Sequence, residues 1–144
     1  MVKKASKKDI KILADLAIKL WPSHTIEELV SDFENLSKDN RAKCFIKYHE
    51  GVPVGFAHCG LRYDYVEGTT SSPVGYLEGI FVEPQFRNLG FAKELITACE
   101  EWAKQKGCLQ MASDCELTNV GSYNFHNKIG YSEANKIVCF KKDI

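Results

Sequence analysis

Apolar residues recur along this chain at two periods, and the switches between them mark its elements. After a short strand near Val2 to Ala5, the stretch from Lys8 to Leu20 is apolar but interrupted by Lys11, Asp15 and Lys19. That is the pattern of an amphipathic helix, which Trp21-Pro22 stops because proline disfavours helix at the residue before it. Thr25 predicts the cap of a second helix, with Glu28 completing a capping box and the helix running to about Leu36. Ala42 to His49 and Val52 to Tyr63 read as strands of a hairpin turned at Glu50-Gly51. A polar loop from Val66 to Ser72, a lid or a simple tip, leads to a strand over Val74 to Val82.

In the following helix, Ala92 to Ala103, the residues Leu95, Ile96, Cys99, Trp102 and Ala103 recur at i, i+3, i+4 spacing and form one face against a sheet. Leu109 to Ser113 predicts a strand, Asn119 opens a helix that closes at Gly130-Tyr131, and Lys136 to Lys142 predicts a last strand. Strands alternating with helices after a hairpin describe a mixed α/β sheet flanked by helices. With 144 residues and no repeat or linker, one domain over residues 1–144 is expected.

The most specific local signal lies between the Val82 strand and the Ala92 helix, in Glu83-Pro84-Gln85-Phe86-Arg87-Asn88-Leu89-Gly90-Phe91. The first N–H groups of a helix lack intrahelical partners and carry the positive end of its dipole, so such a junction suits an anion. Gly90, with no Cβ, permits close approach.

Arg87, Gly90 and Ala92 match the Arg/Gln-x-x-Gly-x-Gly/Ala motif of the GNAT superfamily of acetyl-CoA-dependent N-acetyltransferases, and Asn119 with Gly130-Tyr131 matches its second motif. The stretch from Pro73 to Val82, followed by Ala112-Ser113-Asp114 and Asn119, resembles more narrowly the aminoglycoside 6′-N-acetyltransferases, over most of the chain. The resemblance implies an α/β (α+β) fold with a mixed, mostly antiparallel central sheet flanked by helices. It also implies acetyl-CoA as co-substrate, no metal, and a homodimer to which the apolar Ile137, Val138 and Phe140 of the last strand contribute.

Carried over by position, the resemblance gives Ile80, Phe81 and Val82 to the pantetheine arm, with the Val82 N–H as oxyanion donor. It gives the amides of Arg87, Asn88, Leu89, Gly90, Phe91, Ala92 and Lys93 to the pyrophosphate, and the Asn119 side chain to pantetheine. Gly75 and Gly79 interrupt the strand, which suggests a bulge or a close approach to a ligand. Glu78, two residues before Ile80 and so on its face at period two, is the candidate that positions the amine and relays its proton; an edge acid facing solvent is the alternative.

Asp114 matches an acid that binds aminoglycoside, or else caps a turn; Trp21 and Tyr65 match aromatic residues that stack on a sugar, or else pack. Where most of the superfamily has a Tyr to protonate the departing thiolate, this chain has His126, with Tyr123 one helical turn earlier as competing donor, and unassisted departure as a third course. Asn135 stands where close relatives can carry an acid against the substrate.

Charge and composition narrow the partner. Net charge is zero, which disfavours nucleic acid. From Tyr63 to Phe86 and from Gly107 to Asn127 there is no Lys or Arg, yet Asp64, Glu67, Glu78, Glu83, Asp114 and Glu116 occur. These stretches flank the anion-holding turn, so an uncompensated acidic cleft for a cationic amine is expected. No membrane span or signal peptide is read, and six cysteines without a Cys-x-x-Cys pair predict reduced thiols in a cytoplasmic protein. The expected activity is acetyl transfer to the 6′-amine of aminoglycosides, conferring resistance. A polyamine, amino sugar or peptide amine is the alternative acceptor, and a non-catalytic acetyl-CoA-binding module a third reading.

Overall fold

The computed structural model describes residues 1–144. In chain order the elements are β1 (Val2–Lys4), a 3-10 turn (Lys7–Asp9), α1 (Ile10–Leu20), α2 (Ile26–Ser37), β2 (Ala42–His49), β3 (Val52–Arg62) and β4 (Val74–Val82). A second 3-10 turn (Pro84–Phe86), α3 (Phe91–Gln105), β5 (Met111–Ser113) and α4 (Val120–Lys128) follow. The strands form one sheet in the order β1-β2-β3-β4-β5, antiparallel except for the parallel β4–β5 pair. This is the mixed, mostly antiparallel sheet expected of the chain.

Local chemistry sets the helix ends. Ser6 and Asp9 form a reciprocal capping box before α1, and Thr25 Oγ1 accepts the Glu28 N–H at 3.2 Å before α2. Only that half of the box predicted at Thr25 forms, because the Glu28 carboxylate turns to His24 Nδ1 at 3.3 Å.

Each sheet face buries one helical layer. Leu95, Cys99 and Trp102 of α3 pack with Ala57, Leu77 and Val82; Leu13, Ala17, Leu29 and Phe33 of α1 and α2 pack with Ile46, Phe56 and Phe81 on the other side. Burying a Leu or Phe side chain stabilises by about 1.5–3 kcal/mol, so the α3 seam, with Leu95 fully buried, holds the anion-binding turn in place.

The predicted last strand does not form. Residues 132–144 carry no regular structure, and Ile137, Val138 and Phe140 are exposed. A strand exists only through its pairing, and its sheet neighbour would be β5, three residues long.

Candidate active site

β4 and β5 part company early. Their pairing runs only from Gly75↔Met111 to Leu77↔Ser113, so the β4 edge beyond Leu77 has no strand beside it. The direction of its backbone groups follows from the other edge, where Glu83 N–H donates to Val54 O at 2.8 Å. Groups alternate along a strand, so those of Phe81 also face β3, opposite Phe56, while those of Val82 and Ile80 face the open side. Arg87 Nε reaches the Val82 carbonyl from that side at 2.9 Å. The expectation for Phe81 is corrected here: its polar groups are turned to β3 and its ring is buried against α1 and α2, leaving the Ile80 groups and the Val82 N–H as the free edge.

At the end of this edge the chain passes through Arg87 to Gly90 into α3. Asn88 has φ 63° and Gly90 φ 83°, both left-handed. The first helical bond is Glu94 N–H to Gly90 O at 3.1 Å, and the amides of Asn88, Leu89, Gly90, Phe91, Ala92 and Lys93 have no acceptor in the chain, whereas the Arg87 amide, expected among them, closes the preceding turn by donating to Pro84 O at 3.3 Å. A Cβ built at Gly90 would meet nothing within 4 Å, so the space before these donors is open. Six free amides at the positive end of a 15-residue helix fit a pyrophosphate.

Across the β3–β4 pair, His58 lies opposite Gly79 but Cys59 opposite Leu77, so Glu78 is the extra residue of a bulge. The bulge inverts the faces. Ile80 packs on the α3 side, whereas Glu78 meets Arg62 on the opposite side. The expectation that Glu78 shares the face of Ile80 therefore fails, because period two counts through a bulge incorrectly. Gly79 carries the same displacement: a Cβ there would lie 2.6 Å from Trp21 Cζ2. Trp21 in turn packs edge-on to Phe56 at 5.9 Å and lines a cavity of about 500 Å³ with His58, Asp32 and Phe33. Burial lowers the proton affinity of His58, with Glu78 opposing, so at neutral pH its imidazole is uncharged.

Two of the six acids, Glu78 and Glu83, are paired with a cation, contrary to expectation. Arg62, one residue outside the lysine-free stretch, donates from Nη2 to both Glu78 oxygens at 3.0 Å and from Nε to Oε1 at 3.2 Å. Lys19 of α1 pairs with Glu83. The Tyr76 hydroxyl donates to Asp114 Oδ2, and burial, then that bond, push the phenol's pKa far up, so it stays a donor. Period two along β3, His58-Cys59-Gly60-Leu61-Arg62, carried the signal for the face of Arg62, but the register sets Arg62 opposite Val74, and only its side chain, reaching along the sheet over the Tyr76 ring, makes Glu78 its partner.

The remaining candidates are dispersed. His126 Nδ1 lies 2.7 Å from the carbonyl of Ser122, which can only accept, so Nδ1 carries the proton; Nε2 lies 2.8 Å from Ser113 Oγ. Nδ1 is thus held within α4, and Nε2 ties α4 to the end of β5. Tyr123 is 44% exposed and its hydroxyl has no partner in the chain. Asn119 Oδ1 caps α4 by accepting the Ser122 N–H at 3.0 Å, leaving its amide NH2 free. Asn135 Nδ2 donates to Glu67 Oε2 at 3.3 Å, away from Glu78, and Tyr65 is 76% exposed. No cluster of His, Cys, Asp and Glu suited to a metal ion is present, and no helix is long and apolar enough to cross a membrane.

A sheet whose β4 edge opens beside a helix with free N-terminal amides is the scaffold of an acyl-CoA transferase, and the chain belongs to the acetyltransferase (GNAT) family, whose model matches residues 10–131. Within it, the chain is 42% identical over 123 residues to aminoglycoside N(6′)-acetyltransferase type 1 of Salmonella typhimurium, covering 85% of each chain. It is 37% identical over 143 residues to the protein of the same name from Acinetobacter haemolyticus, covering 99% of this chain and 98% of that one. Among solved structures it is similar to AAC(6′)-Iy in complex with the bisubstrate analogue CoA-S-monomethyl-acetylneamine, with TM-score 0.97, 37% identity, and coverage of 100% and 98%. A structure of AAC(6′)-Iy with CoA matches with TM-score 0.98 at 37% identity, covering 100% and 95%.

Proposed function

We propose that this chain is an aminoglycoside 6′-N-acetyltransferase, a single GNAT domain that moves the acetyl group of acetyl-CoA directly to a 6′-amine of the antibiotic. The observation that carries this reading is the juxtaposition of the open Ile80–Val82 edge and six free amides with Glu78, bulged out to the opposite sheet face one residue before Gly79, which abuts Trp21. The relatives named above supply the acceptor class.

The free Ile80 groups and the Val82 N–H hold the pantetheine arm, with the amide NH2 of Asn119 as a further donor. The amides from Asn88 to Lys93 grip the pyrophosphate. Glu78 accepts a hydrogen bond from the acceptor's amine and relays its proton, directly or through water. The Val82 N–H faces the oxyanion that forms as the amine attacks the acetyl carbonyl. Trp21 and Asp114 contact the rest of the acceptor, Trp21 by an apolar ring face and Asp114 by charge. For the departing thiolate, the unpartnered Tyr123 hydroxyl is the available donor, since both His126 nitrogens are held.

Acetyl-CoA-dependent thiol release should be seen with tobramycin or kanamycin A and be absent with an analogue bearing a 6′-hydroxyl. Turnover of polyamines or peptide amines in place of every 6′-amino aminoglycoside would reject the assignment.

Two further aspects belong to this reading. The enzyme works in the cytoplasm, where acetyl-CoA is made, consistent with six free thiols, four of them buried. It works as a homodimer in which the Lys136–Lys142 segment, apolar yet exposed, pairs with a second copy. Sedimentation should give a two-chain mass that falls to one chain when residues 136–144 are deleted; a two-chain mass after deletion would remove the segment from the interface.

A further inference from the structure

Arg62 ends β3 on the acceptor side of the sheet, and its contacts go beyond one ion pair. Its fork engages both oxygens of Glu78 through three bonds of 3.0–3.2 Å. A carboxylate has about four lone-pair directions, so roughly one stays open, and Glu78 can meet a further donor in essentially one orientation. The guanidinium carbon also lies 3.3 Å from the centroid of the Tyr76 ring, stacked on its face. At the far end of that ring the hydroxyl donates to Asp114. Glu78, Arg62, Tyr76 and Asp114, drawn from β3, β4 and the segment after β5, therefore form one continuous chain of contacts.

Stability is a poor account of this arrangement. The Arg62 and Glu78 side chains are 43% and 32% exposed, and ion pairs that wet contribute little to stability. Geometry is the better account. An unrestrained Glu samples several rotamers, and two carboxylates without a cation between them repel. A planar, always charged fork that chelates one acid and stacks on the ring bonded to the other removes both problems. Two carboxylates and one guanidinium still leave a net negative charge for a cationic acceptor.

We propose that Arg62 is a positioning residue for acceptor recognition: acting through the Tyr76 ring, it holds Glu78 and Asp114 at a fixed separation, so that the site selects acceptors bearing a second ammonium at a matching distance from the reacting amine. The inference rests on the reading of Glu78 and Asp114 as the acids that meet the acceptor. His58 is the remaining titratable group that faces Glu78, and it is held uncharged by burial.

The test uses the full chain as wild type, Arg62→Gln, Arg62→Lys and Tyr76→Phe, with two acceptors: tobramycin, and methyl 6-amino-6-deoxyglucoside, which bears one ammonium. Arg62→Gln should raise the KM for tobramycin about tenfold, the worth of charge-assisted hydrogen bonds to a fixed carboxylate, with KM for acetyl-CoA within about twofold of wild type. The preference for tobramycin over the monoamine, as a ratio of kcat/KM, should fall by a similar factor. Arg62→Lys, which keeps charge without the fork, should recover part of the loss, and Tyr76→Phe, which cuts only the link to Asp114, should reduce the preference while sparing the monoamine.

An unchanged tobramycin KM and preference ratio in Arg62→Gln, in a wild type that turns over tobramycin, would overturn the inference alone. A wild type that neither acetylates nor, by calorimetry, binds tobramycin would overturn it together with the functional reading. Should Arg62→Gln fail to fold, an unchanged preference ratio in the Arg62→Lys and Tyr76→Phe proteins would have the same overturning force.

Discussion

Replacing Glu78 by Gln should lower kcat/KM for a 6′-amino aminoglycoside by about a hundredfold or more, with KM for acetyl-CoA unchanged. The amine arrives protonated and must lose a proton before it can attack, and Glu78 is the carboxylate that the β4 bulge aims at the acceptor side. Gln keeps the shape and one acceptor oxygen but cannot take the proton. It also releases Arg62, whose guanidinium then lacks its bidentate partner. The donor half is untouched, because the amides from Asn88 to Lys93 and the open edge at Ile80 and Val82 lie on other parts of the junction. Steady-state kinetics in both substrates decide the matter. A rate within a few-fold of wild type would reduce Glu78 to a charged anchor, and a rise confined to KM for acetyl-CoA would contradict the division of the site into donor and acceptor halves.

The second large effect is expected at Gly79, where a single methyl group should disturb both stability and acceptor turnover. A Cβ there would sit 2.6 and 2.8 Å from Cζ2 and Cη2 of Trp21 and 3.5 Å from Leu20 Cδ2. The indole has little room to yield, since it packs edge-on to Phe56, which is fully buried. Overpacking of this kind costs about 1–3 kcal/mol. At this chain length each kcal/mol lowers Tm by roughly 2–4 °C, so Gly79→Ala should melt several degrees below wild type. Because Trp21 abuts Gly79 next to Glu78, a displaced ring disturbs the acceptor side, and kcat/KM for the aminoglycoside should fall about tenfold while acetyl-CoA affinity holds. Thermal melts and kinetics indistinguishable from wild type would show that Trp21 moves freely and takes no part in shaping the site.

The donor half of the site was legible in the residues because its signals are local. A helix start, a glycine before it and a strand ahead of it lie within twelve residues of one another, and the structure returns them as the turn at Asn88 and Gly90 with its free amides. The acceptor half was legible only as composition. Glu78 and Asp114 were marked as acids in lysine-free stretches, but the cation that holds Glu78 comes from Arg62 on another strand, and the hydroxyl that holds Asp114 comes from Tyr76. The capping of α4 by Asn119 was likewise a local matter, whereas the tie from His126 to Ser113 crosses from α4 to β5.

By itself the sequence determined every element but the last predicted strand, the face each helix buries and the anion-binding turn, since each depends on periodicity or on groups adjacent along the backbone. It also carried enough of the two family motifs to mark the fold. Tertiary structure alone decided which way Glu78 points, because one extra residue in β4 inverts every face that period two assigns after it. Contacts between elements decided the rest: Phe81 turns its backbone to β3, Arg62, in register with Val74, reaches along the sheet to Glu78, and the segment from Lys136 to Lys142, apolar enough for a strand, remains without one because a strand is defined by its neighbour.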